Sequence, residues 1–557
     1  MADSGEKTAV DRTVSLTPSA EDSPSHDGGL HSSPSDDDID KDGLTAANRA
    51  AAERIVAATP KQTWRSNFWD TLDKSPEERK FLFKLDAVVL TFASLGYFMK
   101  YLDQVNINNA FVSGMQEDLG LFGNQLNYMT TCWTVGYVIG EVPSNLILTR
   151  VRPSIWIPAC EVLWSVLTIL TCKCNNVTQI YVLRFFIGLA ESAFYPGMQY
   201  IIGSWYRREE LAKRSCIFHA AGAIGSMFSG YLMAAVYHLD GTNGFRGWQW
   251  LFIIDAVISL PIAFAGFFMM PDLPEITRAW YFSADEIAIA KRRMQLEGRA
   301  NRAPYTRQKI KRIFSSWHLY LLVLLYILFN NASGFGGQPA FALWLKSEGY
   351  SVSQYNVYPT FASVVQVVST FIYAWTSDTI FKGARWPPIV FAGASNAVVY
   401  ISLSVWKIPF GWKFACFIMS MLGGGISGLT FAWAHEICKD DNEERALVTG
   451  AMNEMAYVVQ AWLPLIIWQT VDAPNYHKGY VSEIFISVGL IVTAFVIRFL
   501  HRREIQKKVR AQPDAGGDQE AAVGGSIEER SGGESGASEV AAVDNKAVPV
   551  TVLEKTG

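Results

Sequence analysis

The chain has 557 residues, of which half are hydrophobic and only 18% charged, with a net charge of −4. A water-soluble chain of this length divides into several domains and carries more charge. Here the apolar residues collect into about twelve runs, each near the ~20 residues that cross a bilayer. The expected surroundings are therefore lipid, and no nucleic-acid partner is expected.

Residues 1–60 are rich in Ser, Asp, Gly and Ala, with Asp36, Asp37 and Asp38 in a row. Such a segment buries too little apolar surface to fold alone. Residues 1–80 are read as a disordered cytoplasmic tail. Within it Trp64, Phe68, Trp69 and Leu72 recur at helical spacing, as in a helix lying on a membrane surface or in a lead-in to the first span.

Six spans are expected near 82–104, 124–148, 154–172, 178–204, 212–237 and 249–270. Asn176-Val177-Thr178, between the third and fourth, fits a glycosylation acceptor lying very close to the bilayer. Residues 271–316 are polar and basic, and Ser283-Ala284-Asp285-Glu286 predicts a capping box that opens an amphipathic helix. Six more runs follow near 318–346, 354–379, 387–406, 410–436, 446–471 and 479–500, and 502–557 returns to a disordered composition. Lys and Arg concentrate in alternate loops and beside both tails, which predicts cytoplasmic termini and a cytoplasmic 271–316 linker. The fold class is an all-α polytopic membrane protein of two six-helix bundles, over 81–270 and 317–501. Bundles of this kind rock about a site near the midplane.

The most informative stretch runs from Arg184 to Gly197. On a helix Arg184 and Glu191 share one face, ~10 Å apart along the axis. Each charge in a span costs roughly 2.5 kcal/mol or more unless it meets a wet cavity or a partner. A cation and an ionisable acid along one line suit anion passage with proton coupling, or else a structural ion pair. Gly188, Ala190, Ala193 and Gly197 allow close helix contact.

Of the four early acids Asp103, Glu141, Glu161 and Glu191, Asp103 and Glu191 are the proton-coupling candidates. Glu141, beside Pro143, is assigned to a cytoplasmic gate with Arg150 of the following basic turn. Asp378 and Arg385 are a second gating pair, and Glu161 is open to satisfaction by a neighbouring helix. Arg184 offers a planar fork for a carboxylate. Gln104, Asn108, Asn331 and Gln338 supply amides for the rest of a substrate. Asn331 and Gln338 belong to a Gly-rich interruption of the seventh span, where backbone and amides can face a cavity. Gly423-Gly424-Gly425 is read as helix packing, His219 and His435 as packed and hydrogen-bonded, and the seven cysteines as small packing residues. No phosphate-cradling loop, metal cluster or nucleophile–base set is present, so no cofactor, metal or enzymatic activity is expected. A proton gradient is the expected energy source.

Several motifs resemble the fungal anion:cation symporters of the allantoate-permease type, within the major facilitator superfamily. They include Asp103-Gln104-Val105-Asn106-Ile107, Pro143-Ser144-Asn145, Arg184 through Glu191 to Pro196-Gly197, and Gly247-Trp248-Gln249-Trp250. Trp433-Ala434-His435-Glu436-Ile437 and Glu444-Arg445-Ala446 continue the likeness in the second half. Residues 110–119 and 225–230 resemble the pantothenate transporters of that family. The resemblance implies proton-coupled import of a small carboxylate, pantothenate foremost, across the plasma membrane; a monomer is expected. It also implies that Asp103 and Glu191 handle protons and Arg184 the anion. One departure is Gln104, where relatives often carry arginine. Alternatives in view are another vitamin or carboxylate such as biotin or allantoate, export of an acidic metabolite, and a nutrient sensor that binds without transport.

Overall fold

The computed structural model describes residues 45–56, 63, 69–148, 150–297, 306–332, 334–381, 383–438 and 441–511. Residues 1–44 and 512–557, with most of the tail expectations, lie outside the described residues. Two compact units divide at Val492–Thr493, inside the last helix, and the described part of the second is helical to Ala511.

The first half begins with α1 (Ala46–Ile55) and α2 (Pro76–Leu85), which runs through a π-helical turn into α3 (Thr91–Ala110). It continues with α4 (Gln125–Leu148), α5 (Pro153–Thr171), α6 (Val177–Glu191), α7 (Phe194–Trp205), α8 (Arg208–Val236) and α9 (Gly247–Met269). The linker carries α10 (Ala284–Leu296) and α11 (Arg307–Ser315). The second half comprises α12 (Trp317–Ala332), α13 (Ala340–Ser347), α14 (Val352–Val357), α15 (Thr360–Thr379) and α16 (Trp386–Val405). It ends with α17 (Phe410–Met419), α18 (Ser427–Ile437), α19 (Asn442–Ile467) and α20 (His477–Ala511).

Each of the twelve apolar runs lies on one helix or on a consecutive pair. Among the described residues nine helical stretches are long and apolar enough to cross a membrane, or ten when α11 and α12, bent by 55°, are joined. The long helices α4 and α19 are more polar than that standard, and their polar residues meet each other across the two halves. Large apolar side chains such as Leu146, Phe268, Trp375 and Phe485 are more than half exposed, as lipid-facing residues are.

The first span differs from its expected extent. The helix does not end at residue 104 but continues through Ala110, so Asp103 lies well inside it. The asparagines that look like a span end pair with other helices instead. Asn106 Nδ2 donates to Asp255 at 2.8 Å, Asn109 Nδ2 to Ser229 at 2.7 Å, and Asn108 Nδ2 to the Gly337 carbonyl at 3.0 Å. The fourth span is also bent, parting into α6 and α7 at Ser192–Ala193. Trp69 is not helical either. It is extended, its ring lies 5.0 Å from the Arg214 guanidinium, and Leu72 sits in a short 3₁₀ turn.

Close packing positions α6 against α4. A Cβ on Gly136 would run into the Phe185 carbonyl, and one on Gly188 into the Trp133 carbonyl. Small residues at reciprocal positions let two backbones approach, as in membrane helix pairs. The Gly423–Gly425 cluster likewise packs, against Asn396, Gln366 and Ser369. The capping box at Ser283 forms: its hydroxyl accepts from Glu286 N, and Glu286 Oε2 accepts from Ser283 N at 2.9 Å. Asn176 serves as the N-cap of α6, its Oδ1 accepting from Gln179 N at 3.0 Å.

Candidate functional site

Arg184 and Glu191 fall on one face of α6, and that face is buried: Arg184 is 2% exposed and Glu191 fully enclosed. Because α3 and α6 run antiparallel, two levels of charge form between them. Arg184 lies within electrostatic reach of Asp103 and Glu191, and one turn back along α3 Lys100 lies within reach of Glu191 and Glu141. Neither cation makes a direct salt bridge among the described residues. The Arg184 Nε has no hydrogen-bond partner, and its guanidinium lies 5.9 Å from the Trp133 ring. Lys100 Nζ donates to the Tyr137 hydroxyl at 3.3 Å and sits 4.3 Å from that ring.

The acids of this cluster differ in their partners. Asp103 Oδ2 accepts from the Thr168 hydroxyl at 2.6 Å, whereas Oδ1 has no hydrogen bond. Both Glu191 oxygens lack one. Glu161 is not satisfied by a neighbouring helix: neither of its buried oxygens has a hydrogen-bond partner. Asp255 of α9 joins the cluster through Asn106, whose Oδ1 accepts from Ser229 at 2.6 Å. Lys100 and the pairing of Asp255 were not identified from sequence as parts of a site. An isolated lysine in an apolar run was the one available signal for Lys100.

The remaining candidates occupy other levels. Gln104 follows Asp103, half-buried and turned about 100° around α3. Asn108 reaches across to Gly337 in the Gly-rich break between α12 and α13, so the predicted interruption exists and Asn108 touches it. Gly336 and Gly337 adopt positive φ of 59° and 79° there, a region that suits glycine. Gln338 is buried, and its Oε1 accepts from Thr470 at 3.1 Å. The Asn331 amide turns to its own helix, donating to Ile327 O at 2.8 Å.

At the end of α3 and the start of α4 the two halves are tied repeatedly. Asn127 Nδ2 donates to Trp468 O at 2.8 Å, and its Oδ1 accepts from Thr470 N at 2.8 Å. Tyr355 OH and Asn356 Nδ2 bond Val112 O and Ser113 Oγ at 3.1 and 2.8 Å.

Of the gating set, Glu141 also crosses between halves: its Oε1 accepts from Asn453 Nδ2 of α19 at 2.7 Å, beside Glu454. Arg150 is exposed in the turn after α4 and is not brought to Glu141. Arg385 donates to Glu436 at 2.9 Å and to Ser377 at 3.1 Å, while the Asp378 side chain lies outside the described ones. Elsewhere His318, Cys438 and Glu444 converge with ligand-type atoms within 4.8 Å of one another, which their sequence separation hid. His318 Nδ1 and Glu444 Oε1 are already hydrogen-bonded there at 2.7 Å.

The arrangement is a buried cation–acid cluster within membrane-crossing helices, with the halves closed over one end. The Major Facilitator Superfamily profile matches residues 93–464. The chain is 36% identical over 429 residues to the pantothenate transporter liz1 of Schizosaccharomyces pombe, covering 77% of this chain and 83% of that protein. It is 35% identical over 440 residues to the pantothenate transporter FEN2 of Saccharomyces cerevisiae, covering 77% and 85%. Among solved structures, a bacterial homologue of the human lysosomal transporter Spinster, inward-facing and unoccupied, superposes with a TM-score of 0.56. That match has 14% identity and covers 76% of this chain and 98% of that one. The chain therefore belongs to the Major Facilitator Superfamily, as a secondary transporter of the membrane and not an enzyme.

Proposed function

We propose that the protein is a proton-coupled importer of a small organic anion, with pantothenate as its substrate. The observation that carries this reading is Arg184, buried on one face of α6 with Glu191, its Nε without a hydrogen-bond partner, and within electrostatic reach of Asp103. A guanidinium meets a carboxylate in two parallel hydrogen bonds. Asp103 and Glu191 take up protons as the anion enters, so that the added negative charge is compensated inside the span. The amides of Gln104, Asn108 and Gln338 suit the neutral amide and hydroxyls of pantothenate. The substrate assignment is supported by the two relatives named as pantothenate transporters.

The excess of Lys and Arg in the loops beside both tails supports cytoplasmic termini. The bonds of Asn127, Asn108 and Asn356 then lie on the outer side, and Glu141, Arg150, Asp378 and Arg385 toward the cytoplasm as gating groups. The protein works as a monomer in the plasma membrane, draws on the proton gradient and needs no cofactor. The test is uptake of labelled pantothenate at acidic and neutral external pH, in cells lacking their own carrier. Uptake that rises at acidic pH and is lost in Arg184→Ala at equal surface abundance supports the reading. A well-expressed wild type that takes up biotin or another carboxylate instead rejects the substrate.

A further inference from the structure

The cluster holds more acid than base. Lys100 and Arg184 are the buried cations of these helices, and Asp103, Glu141, Glu161, Glu191 and Asp255 the buried carboxyls. An additional anion enters such a site only if protons neutralise some of the acids, and a cation must then be free to receive it.

Lys100 fits that part. It is 1% exposed, and its one hydrogen bond goes to a neutral phenol, Tyr137, at 3.3 Å. Two carboxyls, Glu191 and Glu141, lie within electrostatic reach of its ammonium. Glu141 already accepts a hydrogen bond from Asn453, whereas neither Glu191 oxygen accepts any. Asp103, Arg184, Asp255 and Tyr101 also lie within electrostatic reach of Glu191. Asp103 bonds Thr168, Asp255 bonds Asn106, and His219 bonds Ser215 O and Tyr195. Glu161 of α5 lies against Gly96, one turn before Lys100 on α3, and Tyr457 of α19 faces the Tyr137 ring. Gln104, meanwhile, supplies no charge.

We infer that Lys100 is a second anion-binding residue, its charge balanced by the nearby Glu191 without a direct bond until a proton bonds to that carboxylate and the substrate anion replaces it as the ammonium's counter-charge. This inference rests on the proton-coupled anion reading above. It assigns the second cation to a lysine one turn before Asp103 in place of a charge at Gln104. Glu191 thereby couples the two ligands: without its proton it already balances the lysine's charge.

The experiment compares wild type, Lys100→Met, Lys100→Arg, Glu191→Gln and the double variant Lys100→Met/Glu191→Gln. Affinity is read as the pantothenate concentration that half-saturates thermal stabilisation of each purified protein, at acidic and neutral pH. Uptake by wild type is measured in parallel. Losing a charged partner of the anion weakens binding by roughly tenfold to a hundredfold. That loss is expected in Lys100→Met and, equally, in the double variant, with partial recovery in Lys100→Arg. Glu191→Gln alone is expected to bind with no pH dependence from this site. A double variant that binds as well as Glu191→Gln overturns the inference, because Lys100 is then only a counter-ion for Glu191. So does acid-stimulated wild-type uptake together with unaltered affinity in Lys100→Met. Wild-type uptake without acid stimulation overturns instead the proton-coupled reading on which the inference rests.

Discussion

Asn453 Nδ2 of α19 donates to Glu141 Oε1 of α4 at 2.7 Å, so a buried carboxyl of the first half is held by an amide of the second. Removing the amide in Asn453→Ala leaves that oxygen without its donor. The expected loss is about 1–3 kcal/mol, seen as a lower melting temperature in detergent. Asn453→Asp, which replaces the donating amide with an acceptor facing Glu141 Oε1, is expected to lose at least as much. An unchanged melting temperature in both variants would show that this bond does not help to hold the halves together.

The reciprocal glycines test what positions Arg184. Gly188→Ala pushes a methyl into the Trp133 carbonyl, and Gly136→Ala does so at Phe185. Overpacking costs about 1–3 kcal/mol and forces the helices apart, so both are expected to lower melting temperature and transport together. Gly203→Ala, which meets nothing within 4 Å, is the matched control and is expected to be neutral or slightly stabilising.

Much of this was legible in sequence. Hydropathy placed the helices, because crossing a bilayer demands long apolar runs whatever the tertiary fold. Helical spacing alone put Arg184 and Glu191 on a common face, and Ser283 with Glu286 carried their own capping signal. Pairing across distant helices was not legible. Asn106 and Asp255 are 149 residues apart, and Glu141 and Asn453 are 312. No local pattern links them, so Asn106, Asn108 and Asn109 read as the end of a span when they are its interhelical contacts. Lys100 escaped for the same reason: its meaning lies in Glu191 of another helix.

Arg293 is wholly buried in the linker helix α10, paired with Glu78 at 3.2 Å and with Glu210 of α8. Arg293→Met removes the ion pair of Glu78 and one of those of Glu210, and breaking a buried pair in this way costs about 3–5 kcal/mol. Burial works against the Glu210 carboxylate, but Arg293, then Lys74 and Arg214, more than offset it and hold it below its usual 4.5. A lowered folded value means that this stabilisation is complete above the unfolded value and is lost as pH falls below it. Melting temperature is therefore expected to fall on acidification below about pH 4.5 in wild type and to fall less in Glu210→Gln.

Asn127 tests the closed end of the halves. Its side chain bonds Trp468 O and both the backbone nitrogen and hydroxyl of Thr470, at 2.8, 2.8 and 2.6 Å. Losing them in Asn127→Ala removes about 2–4 kcal/mol from this closed arrangement. The variant is expected to open that end more often, measured as faster thiol labelling of a cysteine placed at Thr130. Unchanged labelling would mean that other bonds carry the closure.

The most direct measurement is proton movement driven by substrate. Purified protein is reconstituted into liposomes holding a pH-sensitive dye, with no initial gradient, and pantothenate is added outside. Acidification of the interior that accompanies labelled pantothenate entry, and that vanishes in Arg184→Ala, is the expected result. Pantothenate entry with no change in internal pH would contradict proton coupling at Asp103 and Glu191.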